Sequence, residues 1–183
     1  MSTPTILPAD PTLEEIRAAL APVIAANAAF DGWKEEAVRV AAEAHGVDPA
    51  LAAVAFKGAD GQSGPGVLID AWFAHVDAEM THRLPADMLA AMPIRQRITA
   101  LIEARLDILE PQKEALRRAL AVLAFPIHAP LAARLAWRAA DAMWRLAGDT
   151  ATDYNHYTKR MTLGAVYAAT LAVFLDDERM PGG

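Results

Sequence analysis

The sequence predicts an all-α protein. Three observations predict it. First, 54% of the 183 residues are apolar, and alanine and leucine, which lose little side-chain freedom in a helix, dominate them. Second, apolar residues recur at helical spacing, and no stretch shows the sustained alternation of a half-buried strand. Third, glycine and proline fall between these stretches, where they close one helix and open the next.

The elements follow in order. Residues 1–11 hold Pro4, Pro8 and Pro11 and are expected to form a disordered arm. Thr12 suits an N-cap, and Glu15 completes a capping box. The helix it opens should reach about Ala28, with a kink at Pro22. After the Asp31-Gly32 turn, a second helix is predicted over 34–44, stopped by Gly46. Asp48 and Pro49 open a third, ending near Lys57. Residues 58–66, rich in glycine, read as a flexible loop. Further helices are predicted over 65–82, 93–109, 112–124, 130–147 and 154–177, with a short turn of helix in 85–91 and a frayed end from Met180. The longest apolar run, 161–175, falls short of the ~20 residues of a spanning helix, and the first residues lack the pattern of a secretory signal.

The last two long helices carry the most pattern. In 131–147 the polar residues Arg134, Arg138, Asp141 and Arg145 form one stripe, and Trp137 and Trp144 lie two turns apart. In the final helix Leu163, Val166, Tyr167, Thr170, Leu171 and Phe174 make a bulky face, while Gly164, Ala168 and Ala172 make a ridge of small residues. Such a ridge lets another helix approach closely. It serves a homodimer formed through the last two helices, or packing inside one chain.

The composition narrows the chemistry. The net charge is −6 and there is no cysteine, which removes disulfides, thiolate nucleophiles and thiolate-ligated metals. The five histidines are His45, His75, His82, His128 and His156. Glu79 and His82 form a Glu-x-x-His pair, as di-iron bundles use, but the second copy such a site needs is missing. Ser63 lacks the Gly-x-Ser-x-Gly context of a hydrolase, and the glycine loop lacks the Gly-Lys-Ser/Thr of a phosphate-binding loop. Asp149 and Asp153 read as helix caps. No nucleophile, base and orienting group occur together. We expect no enzyme, no cofactor and no bound metal.

The segment 34–56 reads as helix, turn, helix. With its neighbours it resembles the N-terminal head of tetracycline-repressor-type regulators, and several long helices behind it match their C-terminal bundle. The expected division is a head over 12–83 and a helical body over 84–183. A DNA reader needs cations and base-reading side chains, yet residues 27–83 carry four cations against nine anions. Such a head repels phosphate, so nucleic acid is not an expected partner. A ligand-responsive regulator of this type remains the alternative reading.

A more specific resemblance lies nearer the C-terminus. Its residues run Asp141-Ala-Met-Trp-Arg-Leu-Ala-Gly-Asp149, then Asp153-Tyr-Asn-His-Tyr-Thr-Lys-Arg160, then Leu163-Gly-Ala-Val-Tyr167 and on to Asp176. The stretch resembles the hallmark segment of the ubiquinone (coenzyme Q) biosynthesis accessory family founded on the ninth Coq protein. That resemblance implies a tetracycline-repressor-like fold, a homodimer and no action on DNA. It also implies lipid binding, with an isoprenoid quinone precursor or a phospholipid held in the helical body. Quinone intermediates would be presented to the di-iron demethoxyubiquinone hydroxylase and to other enzymes of ubiquinone synthesis. The lipid would meet Leu106, Leu123, Trp137, Trp144, Leu163, Tyr167 and Leu171, a set that an ordinary filled core would share. The partner would meet Met143, His156, Tyr157 and Arg160, with helix packing and an ion pair as the other reading of the last two. The family motif has Trp where this chain has His156. Family members usually continue into an amphipathic, membrane-touching helix, whereas this sequence ends at Gly183. The expected location is the cytoplasm, with contact at the periphery of the inner membrane.

Overall fold

The structure is a computed structural model that describes residues 7–150 and 152–177. Residues 1–6 of the arm expected over 1–11, and the frayed end expected from Met180, lie outside the described residues. The described chain is helical, with no strand among the described residues. Its α-helices are α1 (Leu13–Asp31), α2 (Glu36–Ala44), α3 (Pro49–Ala55), α4 (Pro65–Arg83), α5 (Ala86–Leu89), α6 (Ile94–Leu109), α7 (Lys113–Leu123), α8 (Ala129–Leu146) and α9 (Tyr154–Asp176). Single 3₁₀ turns, Glu110–Gln112 and Pro126–His128, precede α7 and α8. The described residues form two compact units, the first built from residues up to 75 and 114–128, the second from 76–113 and 129 onward.

In the first unit α1, α2 and α3 pack mutually. Thr12 caps α1 with the expected box: the Glu15 amide donates to its Oγ1 at 3.2 Å, and its own amide donates to Glu15 Oε2 at 2.8 Å. The helix continues through Pro22 to Asp31 and buries Ile16, Leu20 and Ile24. Gly46 ends α2 at φ +66°. There the Gly46 and Val47 amides donate to the carbonyls of Glu43 and Ala42, a paired closure that needs the left-handed residue. Asp48 caps α3 by accepting from the Ala50 amide at 2.7 Å. Arg17 of α1 donates to the carbonyls of Ala55 and Lys57, filling acceptors that the end of α3 leaves open.

Residues 114–128, expected in the C-terminal body, belong to this first unit. The cause is local. One face of α7 buries Ala115, Leu116 and Ala119, and the Trp33 indole donates to the Ala115 carbonyl at 3.2 Å. Trp33, Trp72 and Phe73 continue the contact as successive ring pairs 5.2 Å apart.

The second unit rests on the α8–α9 pair, against which α6 packs. At Gly164 α9 lies close against α8, since a Cβ there would lie 3.3 Å from the Ala136 carbonyl oxygen. The small-residue ridge serves α8 only at Gly164, for Ala168 and Ala172 are exposed. The buried stripe of α9 is Arg160, Leu163, Gly164, Tyr167, Leu171 and Leu175. Val166, expected on the bulky face, is exposed. Arg97 of α6 donates to the carbonyls of Met92, Ala147 and Ala90, tying the end of α8 to the turn before α6. No single helix among the described residues is long and apolar enough to cross a membrane.

Candidate functional site on the α8–α9 pair

The turn between α8 and α9 places the first functional side chain. Gly148, at φ +88°, lets the Gly148 and Asp149 amides close onto the carbonyls of Arg145 and Trp144. This closure turns the Asp149 carboxylate toward the first turns of α9. There Lys159 Nζ meets Asp149 Oδ1 at 2.8 Å, and Arg160 NH1 meets Oδ2 at 3.0 Å. Arg160 also donates from Nε to Asp141 Oδ1 at 2.6 Å and from NH1 to the His156 carbonyl at 3.2 Å. Its side chain is only 2% exposed. Asp141 further pairs with Arg145 at 2.8 Å. Asp141 of α8 and Asp149 of the turn thus hold Lys159 and Arg160 of α9, and Arg145 adds a pair within α8.

The electrostatics follow from that arrangement. Hydrogen bonding to Lys159 is the main cause that holds the Asp149 carboxyl below its ordinary value, with Arg160 reinforcing it against burial. At Asp141 burial pushes upward, and the Arg160 and Arg145 guanidinium groups together outweigh it, so the net direction is down. The two carboxylates in turn keep Arg160 above the ordinary guanidinium value despite burial.

An aromatic surface flanks these ion pairs. Tyr157 lies 5.9 Å from the Trp137 ring and 5.1 Å from His156, while His156 lies 6.3 Å from Trp137. Tyr157 is 57% exposed, and Tyr154 and Met161 on the same helix are more exposed still. Trp144 donates its indole N–H to the Lys159 carbonyl at 3.1 Å, and the Lys159 ammonium lies 5.2 Å from its ring.

The residues expected to touch a partner therefore divide by depth. His156 and Tyr157 reach the surface of the unit, whereas Met143 and Arg160 are buried beneath it. Of those expected to meet a lipid, Leu163, Tyr167 and Leu171 are buried in the second unit, and Leu106, Trp137 and Trp144 are half-buried there. Leu123 is buried within the first unit.

A second polar group, not anticipated from sequence, lies inside the second unit. Arg105 of α6 is 1% exposed. Its NH1 donates to Asp77 Oδ1 of α4, whose Oδ2 accepts from Arg138 Nε of α8 at 2.8 Å. The Arg105 guanidinium carbon sits 4.8 Å from the centre of the Tyr167 ring. The signal in the sequence was Arg105 itself, one turn from Leu101 and one from Leu109 on the buried face of α6. The polar stripe of α8 is also less external than its spacing suggested, since Arg138 and Asp141 are half-buried in ion pairs. Glu79 of the Glu-x-x-His pair binds Arg83 at 2.9 Å.

Fold and site together define an all-helical protein with an ion-paired, aromatic-faced helical pair at its C-terminal end. Residues 129–180, which contain α8 and α9, match the COQ9 family model. The chain is 31% identical over 153 residues to the mitochondrial ubiquinone biosynthesis protein COQ9 of Rattus norvegicus, covering 80% of this chain and 47% of that protein. It is 31% identical over 153 residues to the Homo sapiens COQ9, covering 80% and 46%. With the Xenopus tropicalis COQ9 it shares 35% identity over 85 residues, 46% of this chain and 27% of that protein. The chain is thus similar to the COQ9 family, over residues 129–180 by the family model and over 153 residues by its mammalian relatives, and it spans about half the length of those relatives.

Proposed function

We propose that this chain is a non-catalytic, lipid-binding accessory protein of ubiquinone biosynthesis that presents quinone intermediates to a partner hydroxylase. One observation carries the reading: the COQ9 match falls on α8 and α9, the pair that joins a buried ionic frame to an exposed aromatic face. The printed names of the relatives, which are ubiquinone biosynthesis proteins, supply the pathway. The apolar interior of the second unit suits an isoprenoid tail, at about 25 cal/mol for each Å² of apolar surface removed from water. Tyr157, Tyr154 and His156 suit an interface, because tyrosines give large contact area at small entropic cost. In this reading Met143 and Arg160 support the surface from below, and the partner is a di-iron demethoxyubiquinone hydroxylase. The tetracycline-repressor-like arrangement and the homodimer through α8 and α9 belong to the same proposal, as does work in the cytoplasm or at the periphery of the inner membrane. The regulator alternative is not favoured, since Arg39, a cation of α2, is engaged by Glu36 and Glu43.

The test is native purification followed by mass spectrometry of the extracted lipids, with capture of the hydroxylase in parallel. Recovery of a prenylated quinone or phenol, and retention of the hydroxylase, is the expected result. A protein that carries no isoprenoid and retains no hydroxylase refutes the proposal.

A further inference from the structure

The turn that follows α7 holds large apolar side chains out in solvent. Phe125 is 62% exposed and Ile127 is 83% exposed, and Ala121, Ala124 and Pro126 beside them are exposed as well. No Asp, Glu, Lys or Arg occurs over 119–133. Single exposed apolar residues are ordinary, but two large ones within three residues, among apolar neighbours, mark a contact surface.

The backbone of the turn suits a medium that offers no hydrogen bonds. The Ala124, Phe125 and His128 amides donate to the carbonyls of Leu120, Val122 and Phe125 at 2.9, 3.2 and 2.9 Å. Pro126 and Pro130 have no amide to satisfy. Backbone groups that enter hydrocarbon must be bonded internally, and these are.

Charge selects the partner. The chain carries a net −6, yet residues 110–140 hold five cations, Lys113, Arg117, Arg118, Arg134 and Arg138, against two anions, Glu110 and Glu114. Arg117, Ala121 and Ala124 follow at spacings of four and three, so they share one face of α7. At 1.5 Å per residue, Arg117 stands about 10 Å behind Ala124. Arg117 and Arg118 both pair with Glu114, at 2.9 and 3.1 Å, through side chains that are a third or more exposed. Exposed pairs of this kind are weak, and a phosphate can take the place of the carboxylate. An apolar tip backed at that distance by guanidinium groups matches the layering of a bilayer, where apolar groups sink about 5–10 Å below the headgroups.

We propose that the turn after α7 is a membrane-contact site: Phe125 and Ile127 enter the acyl boundary of an anionic bilayer, and Arg117 and Arg118 meet its phosphates. The contact is interfacial, since no single helix among the described residues is long and apolar enough to cross a membrane. It rests on the peripheral-membrane part of the reading above and gives that part a location. It needs neither the apolar interior of the second unit nor a terminal amphipathic helix.

Flotation of the whole chain with vesicles tests it, using phosphatidylcholine alone and phosphatidylcholine with cardiolipin at four to one. The wild type should bind the cardiolipin vesicles about tenfold more tightly than the neutral ones. The double variant Phe125→Ser/Ile127→Ser should lose about fivefold or more of that binding and keep its circular dichroism, because both side chains are exposed. The chain has no cysteine, so Ile127→Cys and Asp60→Cys each offer one position for an environment-sensitive fluorophore. On cardiolipin vesicles the label at 127 should brighten and shift to the blue, and the label at 60 should not change. Full binding by the double variant, with the label at 127 still in water, overturns the site while the peripheral reading stands. Equal binding to both kinds of vesicle overturns the role of Arg117 and Arg118. If the double variant instead loses self-association and keeps its vesicle binding, the turn is a protein contact and the site is overturned. A wild type that binds neither vesicle overturns both the site and the peripheral reading beneath it.

Discussion

Arg160 shows how a side chain with the chemistry of an interface anchor can serve beneath an interface. It is buried between Asp141 and Asp149, and its removal takes from both carboxylates the one cation they share, leaving Asp141 only Arg145 and Asp149 only Lys159. Breaking a buried pair by deleting one partner is more costly than never having had it, because the remaining charge stays desolvated. Arg160→Ala should therefore lose about 3 kcal/mol of stability, read as a lower urea midpoint. Tyr157→Ala is the contrast. Tyr157 is exposed, so the substitution should keep stability within about 1 kcal/mol of the wild type while weakening capture of the hydroxylase. A Tyr157→Ala protein that retains the hydroxylase at full strength would remove this residue from the proposed surface. Met143, fully buried, should behave as core: Met143→Ala should cost about 2–5 kcal/mol on denaturant unfolding.

Helix ends and helix crossings follow different rules, and two glycines separate them. Gly46 has nothing near the position of a Cβ but sits at φ +66°. Gly46→Ala should cost about 1 kcal/mol through the backbone alone. Gly164 is helical and close to the Ala136 carbonyl oxygen, so its constraint is packing. A backbone carbonyl inside a helix cannot swing away as the tip of a side chain can. Gly164→Leu should part α8 from α9 and lower the melting temperature by more than Gly46→Ala does. Equal effects in the two variants would show that the crossing is looser than the geometry indicates. Most helix boundaries were legible at this scale. Thr12 with Glu15, Asp48 with Pro49, and Gly46 are local signals whose partners lie within a few residues. The exposed Val166 was misplaced because a moment of helical phase separates it from the Leu163–Tyr167–Leu171 line, and only the position of α8 and α6 decides where burial ends.

For the molecule as a whole the ion-paired aspartates predict acid sensitivity. Asp141 and Asp149 are held below their ordinary value of 3.8 in the fold. A group depressed on folding contributes stability that is fully present above the unfolded pKa and is lost as pH falls through the folded one. The urea midpoint should therefore hold at pH above about 5 and fall as the pH is lowered through 4 and below. In Arg160→Ala that fall should be shallower, since the one cation that lowers both carboxylates is gone. An unchanged pH profile in that variant would detach the acid sensitivity from this site.

By itself the sequence determined the helical class, most of the caps and the family resemblance over 141–176, because propensity, capping and motif are written in adjacent residues. It also determined the net negative charge of residues 27–83, four cations against nine anions. The tertiary structure decided the rest. It assigned residues 114–128 to the first unit through Trp33 and the buried face of α7. It turned Arg160 and Met143 inward while leaving Tyr157 outside. It also brought Asp77, Arg105, Arg138 and Tyr167 from four helices into one polar cluster. Pairing between residues 19, 28 or 61 positions apart depends on how helices cross, and no local pattern in the chain encodes that.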